Sequence, residues 1–478
     1  MQHFLNLTVT FCLTLFVIAC SVNPVSGNQD FVLFSEEREI EIGRTFNAQI
    51  LNQERIYPDQ ELQNYVQKVG ESLSNISHRS NLVYRFTILD SPDVNAFALP
   101  GGYIFIYRGL LSYLSTEDEL AAVLGHELGH VTARHGVTQA SKAQVLDLLS
   151  YVVGSKVGSS AGNVATLAGG AFLAGYGRDL ELQADSLGSN YMSKVGYSSQ
   201  GMMQILTVLK EQELYSKEVS KRRGTDTQTY HGVFSSHPTN DERLKEIIGF
   251  SKSSFDINSQ KKTRGYLDKI DGMIYGDSEA AGVRRRNSFY HGELDFSLTS
   301  PKQWEIINSP SSLVFSSPQG KASMSLTVID KNRKEPPLQY LRRVSPGKIL
   351  EEEVLNLSDL EGHTAVLNYD SNLHRVAIIF KDKQIFRFYG SALKQEDIET
   401  YDKHFLNIIN SFSRLKESEK ALIKPLKIKI YEVGRSDTYS SLAKDSPIPF
   451  DPEEKLRLLN GDYPDQELKV GRFIKLVE

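Results

Sequence analysis

The sequence predicts an α+β fold shared among several domains, and three patterns point to it. Up to about residue 265 the pattern is mainly helical, with a small sheet. Residues 286–416 repeat the apolar–polar alternation of an antiparallel sheet with accompanying helices. Residues 424–478 read as a further small unit, and 266–285, polar and irregular, as a linker. At 478 residues the chain exceeds what one core serves, so two to four units are expected. Its 54 basic and 59 acidic residues give a net charge of −5, without the basic footprint of a nucleic-acid binder. The two cysteines, Cys12 and Cys20, both lie within the first twenty residues. Neither a disulfide framework nor a thiolate metal site can therefore be built in the rest of the chain.

Taken in order, residues 1–19 read as a signal peptide. The stretch from Phe4 to Ala19 is uncharged and mostly apolar, short for a membrane span of about 20 residues but suited to a secretory signal. It ends Val17-Ile18-Ala19-Cys20, which resembles the lipobox of bacterial lipoproteins, in which the cysteine is acylated. No Lys or Arg precedes the apolar run, which departs from that pattern. Ser21 resembles the residue that follows the cysteine in lipoproteins sent to the outer membrane of two-membrane bacteria. The expectation is a periplasmic chain, lipid-anchored through Cys20.

Residues 20–265 come next. Helical patterning starts around Ser35, with acids in the first turn where the helix dipole favours them. A second helix is expected from Asp59 to about Ser74, then a strand over Tyr84–Asp90. A Pro100-Gly101-Gly102 turn leads into the strand Tyr103–Tyr107, rich in β-branched and aromatic residues. A helix should open at Ser115-Thr116, since Thr116 and Glu119 have capping-box spacing. The Gly/Ala-rich stretch 150–177 reads as closely packed helices or a mobile segment. Strands are expected within 294–298, 313–317, 322–330, 364–370, 374–380 and 384–390, with helices around 337–343 and 395–413. The last unit resembles LysM modules, small βααβ units that bind the N-acetylglucosamine chains of peptidoglycan or chitin, and the resemblance implies that order of elements for residues 424–478. The matching positions are Tyr431, Val433, Asp437-Thr438, Leu442-Ala443, Asn460-Gly461, Leu468 and Gly471. Ser436 stands where such modules usually carry Gly.

The chemistry concentrates in His126-Glu127-Leu128-Gly129-His130. Residues four apart on a helix stand one above the other, with Cβ atoms about 5–6 Å apart, so both imidazoles can reach one metal ion. Zinc takes His nitrogens at roughly 2.0–2.1 Å and brings the pKa of water held there to about 7. Glu127, beside the first ligand, is placed to take the proton from that water. A catalytic zinc needs a third protein ligand. The candidate is Glu181 in a second helical stretch, GRDLELQADSLGSNYM. Asp185, one turn on, can accept the spare ring N–H of a ligating histidine.

HELGH followed by ELQAD, with NAFALPGG upstream and SSHPTNDERL downstream, resembles the gluzincin metallopeptidases of the HtpX, BepA and CAAX prenyl protease 1 type. The resemblance spans roughly residues 30–250. It implies a zincin peptidase domain with one Zn2+ per chain, bound by His126, His130 and Glu181, with Glu127 as the base and Asp185 orienting a ligand. It also implies that Asn95–Tyr107, with Asn95, Gly101, Gly102 and Tyr103, supplies an edge strand on which a substrate peptide adds. His237 would stabilise the oxyanion or, in a resting form, occupy the open zinc position. Arg243 would support the ligands beside Asp185, with a weaker candidacy for the same oxyanion stabilisation. His135 and His231 read as bystanders or as supports of the ligands. The long spans of the membrane-embedded relatives and a clear tetratricopeptide array are both missing from the sequence. The reading is a zinc endopeptidase acting on unfolded or misassembled envelope proteins, with a membrane lipid anchor and, through its tail, peptidoglycan as partners. The alternative is a non-proteolytic assembly factor or peptidoglycan-bound scaffold.

Overall fold

The computed structural model describes residues 20–143, 175–223, 243, 259–331 and 334–478. The expectations for 1–19, for 150–174 and for His231 and His237 lie outside the described residues. A short hairpin, β1 (Cys20–Val22) with β2 (Gln29–Phe31), leads to two helices, α1 (Glu36–Gln53) and α2 (Gln60–Ser74). Each starts where a side chain caps it: Ser35 Oγ accepts from Arg38 N, and Asp59 Oδ1 from Leu62 N. A three-stranded sheet follows, from β3 (Arg85–Leu89), β4 (Ala96–Leu99) and β5 (Tyr103–Tyr107) in the order β3-β5-β4.

That order corrects the expected substrate edge. Strand β5 lies in the middle, parallel to β3 and antiparallel to β4, so its backbone groups are taken on both sides and no strand can add beside Tyr103. The outer strands are β3 and β4, and of these only β4 belongs to the stretch Asn95–Tyr107. Gly101 and Gly102 are explained by the turn itself. Both have positive φ (77° and 93°), and a Cβ there would meet the backbone of Ile40 and of Val83.

Helix α3 (Arg108–Tyr113) runs into α4 (Glu117–Thr132), the helix of the HExxH motif. Its N-terminus differs in detail from a capping box. Thr116 Oγ1 accepts from Glu119 N at 3.1 Å, but Glu119 Oε2 accepts from Ser115 N at 2.6 Å, one residue before the cap. Helices α5 (Arg178–Lys194) and α6 (Gln200–Arg223) pack on α4, and Leu120, Leu124 and Leu128 join the main core with Leu62, Val66, Ile104, Ile106 and Leu206. Where α4 and α5 cross, Gly125 and Gly188 face each other. A Cβ on Gly188 would lie 2.8 Å from the Gly125 carbonyl carbon, so the closeness of the two backbones requires glycine.

The stretch expected as a linker, 266–285, is packed instead. Helix α7 (Ser259–Ile270) buries Tyr266, Leu267 and Ile270 in the main core, and β6 (Ile274–Tyr275) pairs with the C-terminal sheet. Its polar look reflects side chains that ion-pair, as Arg284 does with Asp277 at 2.8 Å. Next come a small meander, β7 (Val283–Arg285), β8 (Ser288–His291) and β9 (Phe296–Thr299), and a seven-stranded antiparallel sheet. Its strands are β10 (Glu305–Ser309), β11 (Ser312–Ser316), β12 (Ala322–Asp330), β13 (Lys348–Leu357), β14 (Leu360–Tyr369), β15 (Asn372–Lys381) and β16 (Gln384–Ala392), ordered β10-β11-β12-β16-β15-β14-β13. Helix α8 (Pro337–Val344) covers one face through Tyr340 and Leu341; α9 (Ile398–Asn410) covers the other through Phe405, Ile408 and Ile409.

The C-terminal unit has the order β17 (Leu426–Glu432), α10 (Tyr439–Ala443), α11 (Pro452–Leu459), β18 (Phe473–Val477). It is fastened to the first unit: Ile428 lies in the main core, and the buried Lys475 Nζ donates to Leu114 O at 2.7 Å. Burial pushes the Lys475 ammonium down to about 7, against the pull of Glu119. Among the described residues no helix is long and apolar enough to cross a membrane.

Candidate metal centre

The apolar stripe of α4 turns Leu120, Leu124 and Leu128 into the core, and this buries the polar residues between them as well. His126, Glu127 and His130 are 6%, 3% and 2% exposed, and Glu181 and Asp185 on α5 are 0% and 2% exposed. Such groups are costly to bury unless they satisfy one another or a ligand. Here they converge: one donor atom each from His126, His130 and Glu181 lie within 4.8 Å of one another. His126 Nε2 is 3.0 Å from His130 Nε2 and 3.5 Å from Glu181 Oε2, and His130 Nε2 is 3.5 Å from Glu181 Oε1. Three ligands held tetrahedrally at about 2.0–2.1 Å from one centre stand about 3.3 Å apart, so the spacing fits zinc.

The charge pattern fits a cation too. His126 Nδ1 donates to Asp185 Oδ1 at 2.7 Å, which leaves the lone pair on Nε2 facing the other two donors. Arg243 clamps the pair from behind, with Nε 2.7 Å from Asp185 Oδ2, Nη2 2.7 Å from Oδ1 and Nη1 3.0 Å from Glu181 Oε2. Burial alone would raise the Asp185 carboxyl. The Arg243 guanidinium and the His126 ring overcome that and hold it well below the usual carboxylate range. Arg243 is thus engaged on two carboxylates and positions them, the supporting place beside the ligands that was expected of it together with Asp185.

His130 is held differently. Its Nδ1 lies 2.9 Å from His135 Nδ1, and His135 Nε2 lies 2.9 Å from Gln183 Oε1. The Tyr176 ring stacks on His130 with centroids 4.0 Å apart and planes 17° from parallel. Burial lowers the basicity of His135 below that of an ordinary histidine. Of the two readings expected for His135, bystander or support of the ligands, the contact with His130 favours the second, while Gln183 and Tyr176 were not among the expected residues. An acid–amide–acid spacing within one helix carries no signal for the amide, and Tyr176 adjoins a stretch with no periodicity.

Beside Glu127 opens a pocket of about 380 Å3 with apolar walls from Val123, Leu110, Ala96, Met202, Leu206 and Leu209. Its wall includes Ala96 of β4, and Ala98 and Leu99 of the same strand line a second pocket of about 230 Å3 next to His130. Outer strand, donor cluster and pockets therefore adjoin. Asn95 uses its carbonyl on Tyr107 N and its side chain on Ala96 N, so it ties the strand's start to β5.

Comparison with known proteins follows the same segment. Residues 59–250 match Peptidase family M48. The Beta-barrel assembly-enhancing protease of Yersinia pestis is 26% identical over 233 residues, 47% of this chain and 46% of that protein. Metalloprotease YcaL of Escherichia coli K12 is 29% identical over 184 residues, 38% and 66% of the two chains. Mitochondrial metalloendopeptidase OMA1 of Saccharomyces cerevisiae is 27% identical over 252 residues, 50% and 70%. The match to the first of these spans about half of that relative's length. The metal that this peptidase family implies is zinc, and the cluster of His126, His130 and Glu181 has the donors to hold it.

Proposed function

We propose that the M48 peptidase domain of this chain is a zinc-dependent endopeptidase that cleaves misfolded or misassembled proteins of the cell envelope. The observation that carries the reading is the buried convergence of His126, His130 and Glu181 at tetrahedral spacing, with Glu127 on the same helix. When bound there, zinc supplies Lewis acidity towards a carbonyl and acidifies water. His126, His130 and Glu181 hold it, while Asp185 and Arg243 keep His126 and Glu181 in place. Glu127 takes the proton of the attacking water on its carboxylate and passes it to the leaving amine. Walls of Val123, Leu206 and Leu209 keep bulk water from that carboxylate and receive an apolar side chain of the substrate. Strand β4 offers an outer edge for an extended peptide.

The fitting test is Glu127→Gln in the full chain, assayed on an unfolded protein such as casein. The expected outcome is unchanged zinc content with hydrolysis down by about 10²–10⁴-fold. Parent-like cleavage by the variant would refute the role of Glu127 and favour a scaffold whose metal centre serves another purpose.

The finer placement belongs to the same proposal. Cys20 carries the lipid that anchors the chain in the periplasm, at the outer membrane, and the C-terminal unit is LysM-like and contacts peptidoglycan. The βααβ order of that unit supports the latter. Because Ile428 and Lys475 are built into the peptidase core, deleting the unit would disturb the whole protein. Pelleting of the full chain with sacculi, competed by N-acetylglucosamine oligomers, is the cleaner test.

A further inference from the structure

The two histidines of the centre are oriented by unlike partners, a carboxylate for His126 and a third histidine for His130. We propose that His135 and Gln183 form a relay that fixes the tautomer of His130 and so sets the metal affinity of the centre. The inference rests on the zinc reading above and concerns residues outside the ligand set.

Two ring nitrogens 2.9 Å apart, His130 Nδ1 and His135 Nδ1, share one hydrogen. A neutral imidazole has one donor and one acceptor nitrogen, so the choice at one end of the relay dictates the other. With the Gln183 carbonyl accepting from His135 Nε2–H, His135 Nδ1 keeps its lone pair and accepts from His130 Nδ1–H. The lone pair of His130 Nε2 then points at His126 Nε2 and Glu181, the competent form. In the opposite sense the hydrogen ends on His130 Nε2, inside the donor cluster, where it blocks ligation.

The backbone brings His135 to this place by an uncommon route. Helix α4 ends at Thr132, and Arg134 takes a left-handed conformation with φ of 58°, which is unfavourable for a non-glycine residue. Its buried guanidinium is held by Glu39, with Nε 2.9 Å from Oε2, and Arg79 binds the same carboxylate. The reversal returns the His135 ring, 2% exposed, to the Nδ1 side of His130.

The test measures zinc dissociation constants of the full chain by chelator competition, alongside thermal unfolding of the metal-free forms. His135→Phe keeps the ring's bulk but removes the acceptor, and should weaken zinc binding by about 10–100-fold. His135→Asn puts an amide oxygen near the Nδ1 position and should restore near-parent affinity. Gln183→Leu frees the relay to run in either sense and should weaken binding by about 3–10-fold; it carries the test if His135→Phe fails to fold. Parent-like affinity in both His135→Phe and Gln183→Leu, or an Asn variant as weak as the Phe variant, would overturn the relay. A parent that binds no zinc would instead overturn the zinc reading on which the relay rests.

Discussion

The crossing of α4 and α5 and the seven-stranded sheet both bury charged side chains, but they surround them differently. At the crossing, two histidines, two carboxylates, Glu127 and Arg243 are buried together, and the histidines, Glu181, Asp185 and Arg243 contact one another in the space where a cation fits. In the sheet the two cores are built of Phe, Ile, Leu and Met, and ion pairs such as Arg342–Glu352 and Arg343–Glu335 sit at the rim. Both regions bury cations, but Arg375 and Lys381 of the sheet reach carboxylates that are a quarter or more exposed, whereas at the crossing the carboxylates are buried as well, at a cost that packing alone would not require. That difference is what assigns chemistry to the helix crossing.

The sharpest way to break the comparison is to remove the cation that the crossing carries itself. Arg243→Met leaves Glu181 and Asp185 buried without their guanidinium, and should destabilise the metal-free chain by about 3–5 kcal/mol in denaturant unfolding. A loss below that of a surface ion pair would mean that the cluster is less buried than it looks.

Next in size is the spacing of the helices. Gly188→Ala forces α5 away from the backbone of Gly125 and His126 and should cost about 1–3 kcal/mol. Zinc affinity should fall with it, because Glu181 and Asp185 travel on α5. Retained affinity would show that the two helices can separate without parting the ligands.

A third probe lies where α6 meets the C-terminal unit. Burial, with Asp462 nearby, pushes the Glu211 carboxyl up to about 8, and Arg472 is 2.7 Å from Asp462. An acid whose folded-state pKa lies above its unfolded value holds its proton better when folded. Stability is therefore greatest below the unfolded value and declines as pH rises towards 8, by at most about 1.4 kcal/mol per unit. Thermal midpoints between pH 5 and 9 should fall less for Glu211→Gln than for the parent. Parallel curves would contradict this. The smallest effect is expected in the sheet: Arg342→Ala removes an exposed pair with Glu352 and should change stability by no more than about 1 kcal/mol.

Much of the sheet and of the crossing was legible in the sequence, for reasons that differ by residue. Strands β12 and β16 alternate because one face is buried more deeply than the other, and β15 reads as a continuous apolar run because both its faces are covered, by α8 and by α9. Strand β13, with Glu351, Glu352 and Glu353 in its middle, escaped notice, because an edge strand exposed on both faces has no alternation to read. His126 and His130, and Glu181 and Asp185, stand one helical turn apart, so periodicity alone puts each pair on one face. What periodicity cannot convey is strand order, which puts the outer edge of the Asn95–Tyr107 stretch at Ala96–Leu99 and leaves Tyr103–Tyr107 in the middle of the sheet. Nor can it show the left-handed turn at Arg134 that carries His135 back, or which neighbour Arg243 meets.

The most direct test of the central claim is the zinc content of the purified full chain and of its Glu181→Ala variant, measured by elemental analysis after metal-replete expression. The account predicts one zinc per parent chain and a clear loss in the variant. A zinc-free parent, or a variant that keeps its full zinc, would contradict it.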